Sequence, residues 1–116
     1  MSTDPRQVLT TANDAISRAD HEGFLAHCTD DVVWYLVGDR TIRGKAELKA
    51  YLDTTYVRPP EFDIQLLVSD ADHVVATGRI TITGGDGGRT TSEYCDVWTL
   101  RDGRLAELRV YAIEVG

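Results

Sequence analysis

From Glu61 to Val115 the chain alternates apolar and polar residues in four runs separated by turn signals, and this pattern limits the fold more than any other feature. Successive side chains of a strand point to opposite faces, so a period of two marks strands with one buried side. In the first run Phe62, Ile64, Leu66 and Val68 alternate with polar residues, and Asp70-Ala71-Asp72 turns the chain. His73 to Thr83 follows, with Val74, Ala76, Gly78, Ile80 and Ile82 on one side. The tract Gly84-Gly85-Asp86-Gly87-Gly88 supplies residues that tolerate positive φ in a hairpin loop. Arg89 to Leu100 is the next strand, Arg101-Asp102-Gly103 turns, and Arg104 to Val115 returns. Connections this short join antiparallel neighbours.

The N-terminal half changes period. Asp4-Pro5-Arg6-Gln7 reads as a helix start, with Asp4 as N-cap, Pro5 in the first helical position and Gln7 completing a capping box. Val8, Leu9, Ala12, Ala15, Ile16 and Ala19 recur at helical spacing as a narrow stripe of mostly small residues. Asp20 caps a second short helix that turns Phe24, Leu25 and Cys28 inward. The β-branched and aromatic run from Asp31 to Val37 predicts the first strand, ended by Gly38-Asp39. Gly44 leads into a third helix with Leu48, Tyr51, Leu52 and Thr55 on one face, and Arg58-Pro59-Pro60 stops it. Helices followed by a run of strands predict a single α+β domain over residues 1–116, with three helices packed on a strongly curved, mainly antiparallel sheet. A sheet bent around helices gives a cone enclosing a pocket for a small molecule.

Charge and composition narrow the function. A formal net charge of −7 argues against nucleic-acid binding, which needs Lys and Arg against phosphates. No segment approaches the ~20 apolar residues of a membrane span, and Met1-Ser2-Thr3-Asp4-Pro5 does not resemble a secretory start. Cys28 and Cys95 are the only cysteines, which fits two reduced thiols in a cytoplasmic protein. His21, His27 and His73 have no ligand spacing between them, so no metal is expected and all three are expected at the surface. The glycine tract lacks the Lys-Ser/Thr of a phosphate loop, and no organic cofactor is expected.

Alternation puts Ser92, Tyr94, Asp96, Trp98 and Leu100 on one strand face. Asp96 lies between two aromatics, where burial would raise its pKa and make it an acid, a base or a hydrogen-bond donor. The alternative is a core carboxylate hydrogen-bonded to Tyr94, Tyr51 or a helix. Trp34 and Trp98 either form a flat apolar wall for a ligand or fill the core, and Tyr51 and Tyr94 either orient a ligand oxygen or close a rim. Cys95 faces the opposite way, with Glu93, Val97, Arg109, Tyr111 and Ile113. That mixed aliphatic, aromatic and arginine face fits a homodimer interface, the alternative being a solvated sheet face.

Three segments carry a resemblance. Phe24-Leu25-Ala26-His27-Cys28-Thr29-Asp30-Asp31-Val32-Val33-Trp34, Ile42-Arg43-Gly44-Lys45-Ala46-Glu47-Leu48 and Asp96-Val97-Trp98-Thr99-Leu100-Arg101-Asp102-Gly103-Arg104-Leu105 resemble the nuclear-transport-factor-two-like superfamily, in particular its SnoaL-like and ketosteroid-isomerase-like branches. The resemblance implies the cone-shaped fold, relatives that commonly dimerise through the outer sheet face, and functions from isomerase and cyclase to none. In ketosteroid isomerases a first-helix tyrosine binds the substrate oxygen, and its place falls at Ala12 here. The general-base aspartate falls near Leu36, and the second acid of the oxyanion hole falls on Asp96. The last-strand acid of limonene-epoxide-hydrolase-like enzymes is replaced by Val110. These positions suggest a pocket lined by Ala12, Trp34, Leu36, Tyr51, Tyr94, Trp98 and Val110 around Asp96. The resemblance implies cofactor-free acid–base chemistry on a small apolar carbonyl compound, or a binding or dimeric accessory domain without turnover.

Overall fold

The computed structural model describes residues 4–116; Met1, Ser2 and Thr3, part of the start expected to lack secretory character, lie outside the described residues. Three helices, α1 (Pro5–Ser17), α2 (His21–Leu25) and α3 (Gly44–Thr55), accompany six strands. These are β1 (Cys28–Leu36), β2 (Arg40–Arg43), β3 (Glu61–Ser69), β4 (His73–Thr83), β5 (Arg89–Arg101) and β6 (Arg104–Glu114). The fold is α+β, with one mixed sheet in the order β2-β1-β6-β5-β4-β3. Strands β3 to β6 form the expected antiparallel meander, and β1 runs parallel to β6. Among the described residues no helix is long and apolar enough to cross a membrane.

Local chemistry sets the element ends. Asp4 accepts the Arg6 N–H at 3.0 Å and Pro5 takes the first helical position, as expected. The Gln7 backbone N–H donates to Asp4 O at 3.0 Å, and the Gln7 side-chain amide donates to Thr11 Oγ1 at 3.2 Å. Ala19, expected on the buried stripe, is exposed past the helix end at φ 60°. There it forms a Schellman turn in which Asp20 N–H donates to Ala15 O at 2.8 Å. The turn delivers Asp20 to cap α2 by accepting the Gly23 N–H at 2.9 Å. Strand β1 starts at Cys28 rather than Asp31, so Cys28 enters the core from a strand and not from a helix. The unexpected β2 folds back on β1 through Gly38 at φ 85°. Four residues are too few for a period to be read.

The largest difference lies in β3. A bulge between Ile64 and Leu66 shifts its register on β4. Leu67 beyond it therefore joins Phe62 on the core, while Leu66 and Val68 are exposed; Ile64, ahead of the bulge, is exposed as well. A one-residue shift moves every later side chain to the other face, which simple alternation cannot anticipate. By contrast the β5–β6 hairpin closes as read, with Asp102 at φ 52° and Gly103 at φ 76°, the two left-handed residues of a type I′ turn.

The core lies between the helices and the inner sheet face. Leu9, Phe24, Leu48, Leu52, Leu105 and Leu108 are fully buried. Phe24, Trp34 and Trp98 meet edge to face, with centroids 5.9 Å apart for Phe24–Trp34, 5.8 Å for Trp34–Trp98 and 6.4 Å for Phe24–Trp98. Each such pair adds about 0.5–1.5 kcal/mol beyond its buried area, so this trio fixes α2 against β1 and β5.

Candidate functional site

Between α1, α3 and the inner sheet face is a cavity of about 150 Å³. Strand β5 supplies Ser92, Tyr94, Asp96 and Trp98, successive residues on one face. Ala76, Ile80 and Ile82 of β4 and Leu108, Val110 and Ala112 of β6 flank them. Trp34 and Leu36 of β1 close one end, and Leu9, Asn13, Ile16, Phe24 and Tyr51 come from the helices. Tyr56, just after α3, and Phe62 of β3 complete the wall.

Asp96 is the cavity's one carboxylate, and no Lys, Arg or His lines it. Its cross-strand partners are Ala76 and Val110, neither of which offers a hydrogen bond from its side chain. Oδ1 of Asp96 is enclosed and has no hydrogen-bond partner among the described residues. Burial pushes its carboxyl up to about 7, so both protonation states are populated near neutrality. The indole N–H groups of Trp34 and Trp98 are likewise buried without a partner. Buried polar atoms without a partner are uncommon in a packed core, and three of them belong to residues that line this one cavity.

Three tyrosines add donors. Burial, and then the nearby Asp96 and Asp63, push Tyr94 up to about 12. Tyr56 is held above the ordinary tyrosine range by burial first, then by Tyr51, Asp96 and Tyr94. Burial also raises Tyr51. All three hydroxyls are therefore protonated at neutral pH. Tyr51 packs edge-on to Trp34 at 6.1 Å and Tyr56 at 6.4 Å, with the Arg40 guanidinium 5.8 Å from its ring centre.

The fold thus gathers Asp96, Trp34, Leu36, Tyr51, Tyr94, Trp98 and Val110 around one space. Ala12 is fully buried in the core and does not line it; its neighbour Asn13 does. Asn13 and Tyr56 escape the sequence reading, although both have a signal. Leu9, Asn13 and Ile16 follow helical spacing, but a polar residue drops out of an apolar stripe. Leu48, Leu52 and Tyr56 recur every four residues, but the prolines after Arg58 draw the helix boundary inward.

Other candidates lie elsewhere. His21, expected at the surface, has only 13% of its side chain exposed, and its Nδ1 lies 2.7 Å from Asp53 Oδ1, tying α2 to α3. His73 is exposed beside Asp70, and His27 is half-buried. Burial pushes the Cys28 thiol up to about 12, which leaves it unreactive. Among the described residues no three His, Cys, Asp or Glu side chains cluster to hold a metal ion.

A profile of the SnoaL-like domain matches residues 9–108, most of the chain. The chain belongs to the SnoaL-like family. Solved structures place this SnoaL-like domain in the wider nuclear-transport-factor-two-like fold. A Δ5-3-ketosteroid isomerase from Mycobacterium sp. is 20% identical over 97% of this chain and 99% of that one, with a TM-score of 0.83. An epoxide hydrolase of the limonene-epoxide-hydrolase-like type from M. tuberculosis is 24% identical over 97% of this chain and 84% of that one, with a TM-score of 0.84. An NTF2-like protein of Burkholderia pseudomallei is 21% identical over 96% and 91%, with a TM-score of 0.80. A search of curated proteins finds no match. At these identities the likeness establishes fold, and chemistry must be argued from the cavity.

Proposed function

We propose that this SnoaL-like domain carries out cofactor-free acid–base chemistry on a small, largely apolar carbonyl compound, with Asp96 as the proton-transfer group. The observation that carries this reading is a carboxyl poised near pH 7, one oxygen enclosed and unpartnered, on a residue that lines a mainly apolar cavity. As carboxylate, Asp96 takes the proton α to the carbonyl; as acid, it returns it elsewhere on the same molecule. The negative charge developing on the substrate oxygen is met by O–H donors, for which Tyr56 and Tyr94 are the protonated candidates beside Asp96. Trp34 and Trp98, edge to face at one side of the cavity, hold the hydrocarbon. The two free cysteines support a cytoplasmic setting.

Hydrogen–deuterium exchange at the α-carbon of cyclic ketones, followed by proton NMR, tests the proposal. Wild type is expected to accelerate exchange, and Asp96→Asn to lose about 10²–10⁴-fold of it while still binding the ketone. One observation favours a second reading, a ligand-binding module without turnover: no second carboxylate lines the cavity, and Leu36 stands where the isomerase-like pattern puts a base. Binding by wild type without exchange above the buffer rate selects that reading.

We further propose a homodimer through the outer sheet face, around Glu93, Val97, Arg109 and Tyr111. Its support is an exposed apolar band. Tyr111 is 47% and Ile113 73% exposed beside half-buried Val97.

A further inference from the structure

We infer that the cavity selects a single oxygenated six-membered ring and excludes fused-ring ketones, a limit on substrate class that rests on the pocket reading above. Volume is the first argument. The cavity holds about 150 Å³, whereas pockets for drug-sized ligands begin at about 300 Å³. An apolar protein cavity of about 150 Å³ takes one benzene-sized guest.

The second argument is the arrangement along β5. Asp96 and Trp98 are successive inward positions, about 7 Å apart along the strand. A ring resting on Trp98 and Trp34 therefore brings an exocyclic oxygen level with the Asp96 carboxyl. The lining continues past Asp96 to Tyr94 and Ser92, and it is the total volume that leaves no space there for a second ring. The floor is fixed. Trp34, Trp98 and Phe24 lock one another edge to face and are all buried, so extending the space downward would mean unpacking the core. The third argument is polarity. The lining carries Asp96 with the polar side chains of Ser92 and Tyr94 on the same strand, which a purely hydrocarbon guest would leave without a partner.

A titration series on the intact protein separates size from apolarity. In a pocket with room, each added methylene strengthens binding, so 2-decalone and androst-4-ene-3,17-dione would outbind cyclohex-2-enone. The inferred limit reverses that order. The chain's only two tryptophans both line the cavity, so their fluorescence reports its occupancy directly. Cyclohex-2-enone is expected to change the tryptophan emission with a dissociation constant at least tenfold lower than that of 2-decalone, and the steroid to give no saturable change. Tighter binding of decalone or the steroid overturns the size limit and leaves the pocket reading standing. If none of the three binds and the carboxyl of Asp96, followed by carbon NMR, titrates near pH 4, the pocket reading fails and the size limit with it.

Discussion

Asp96 links the chemistry of the cavity to the stability of the fold. A carboxyl that titrates near 3.8 in the unfolded chain is pushed up to about 7 when folded. Between those values the native state binds a proton that the unfolded state has lost, so stability falls as pH rises through this window and levels off above 7. At about 1.36 kcal/mol per pKa unit, the ionised carboxylate costs up to ~4 kcal/mol at pH 8. Asp96→Asn keeps the shape and removes the charge. Urea denaturation should therefore find the variant more stable than wild type at pH 8, by as much as ~4 kcal/mol, with the gap down to about 1 kcal/mol at pH 4.5 and closing below about pH 3. A gap that does not change with pH would mean that the carboxylate is solvated in the native state. The position of Asp96 was legible because strand alternation and two flanking aromatics are local signals. The contributions of Asn13 and Tyr56 were not, since each depends on how a helix face meets the sheet.

Alternation describes well the stretches that lie clear of a bulge; the β5–β6 shift falls at Thr99/Leu100, beyond the cavity. Strands β4, β5 and β6 hold one register across the cavity region, and the residues read as inward on β4 line the cavity or its core. On β3 the bulge reverses Leu66, Leu67 and Val68, and what marks it is a residue on the neighbouring strand. Gly78 of β4 stands opposite Ile64, and a Cβ there would lie 2.0 Å from the backbone carbonyl oxygen of Asp63. Glycine is needed because two backbones approach, not because of an unusual φ. Gly78→Ala should destabilise the domain by about 1–3 kcal/mol through forced separation of β3 and β4. Urea midpoints would show this loss, and Ala at the open loop position Gly85, where nothing lies within 4 Å of a Cβ, should cost far less. Equal effects would argue against the close approach. The glycine was visible in the sequence as one more inward residue of the strand; its function appears only once β3 is paired beside it.

At the scale of the molecule, the outer sheet face carries surface that one chain does not cover. Pairing aligns Val68, Val75, Val97, Arg109 and Tyr35 in one row, with Arg109 over the Tyr35 ring at 4.5 Å. The next row runs Leu66, Thr77, Cys95 and Tyr111. The register shift in β3 thus adds Leu66 and Val68, 52% and 46% exposed, to a band that the sequence reading confined to β5 and β6. A solvated face would alternate such residues with charges, whereas these two rows carry one charge, Arg109, and the Arg79–Glu93 pair, 3.5 Å apart, lies in the row beyond them. Two chains of net charge −7 repel at long range while the apolar rows attract at contact. Dimerisation should accordingly tighten between 50 and 500 mM salt, on the order of the screening change expected for a shrinking Debye length. Analytical ultracentrifugation at micromolar protein is expected to show a dimer. Val97→Asp, which sets a carboxylate in the middle of the first row, should give a folded monomer whose tryptophan emission is that of wild type. A wild-type monomer at every salt concentration would return the face to solvent, and a Val97→Asp dimer would move the contact to another surface.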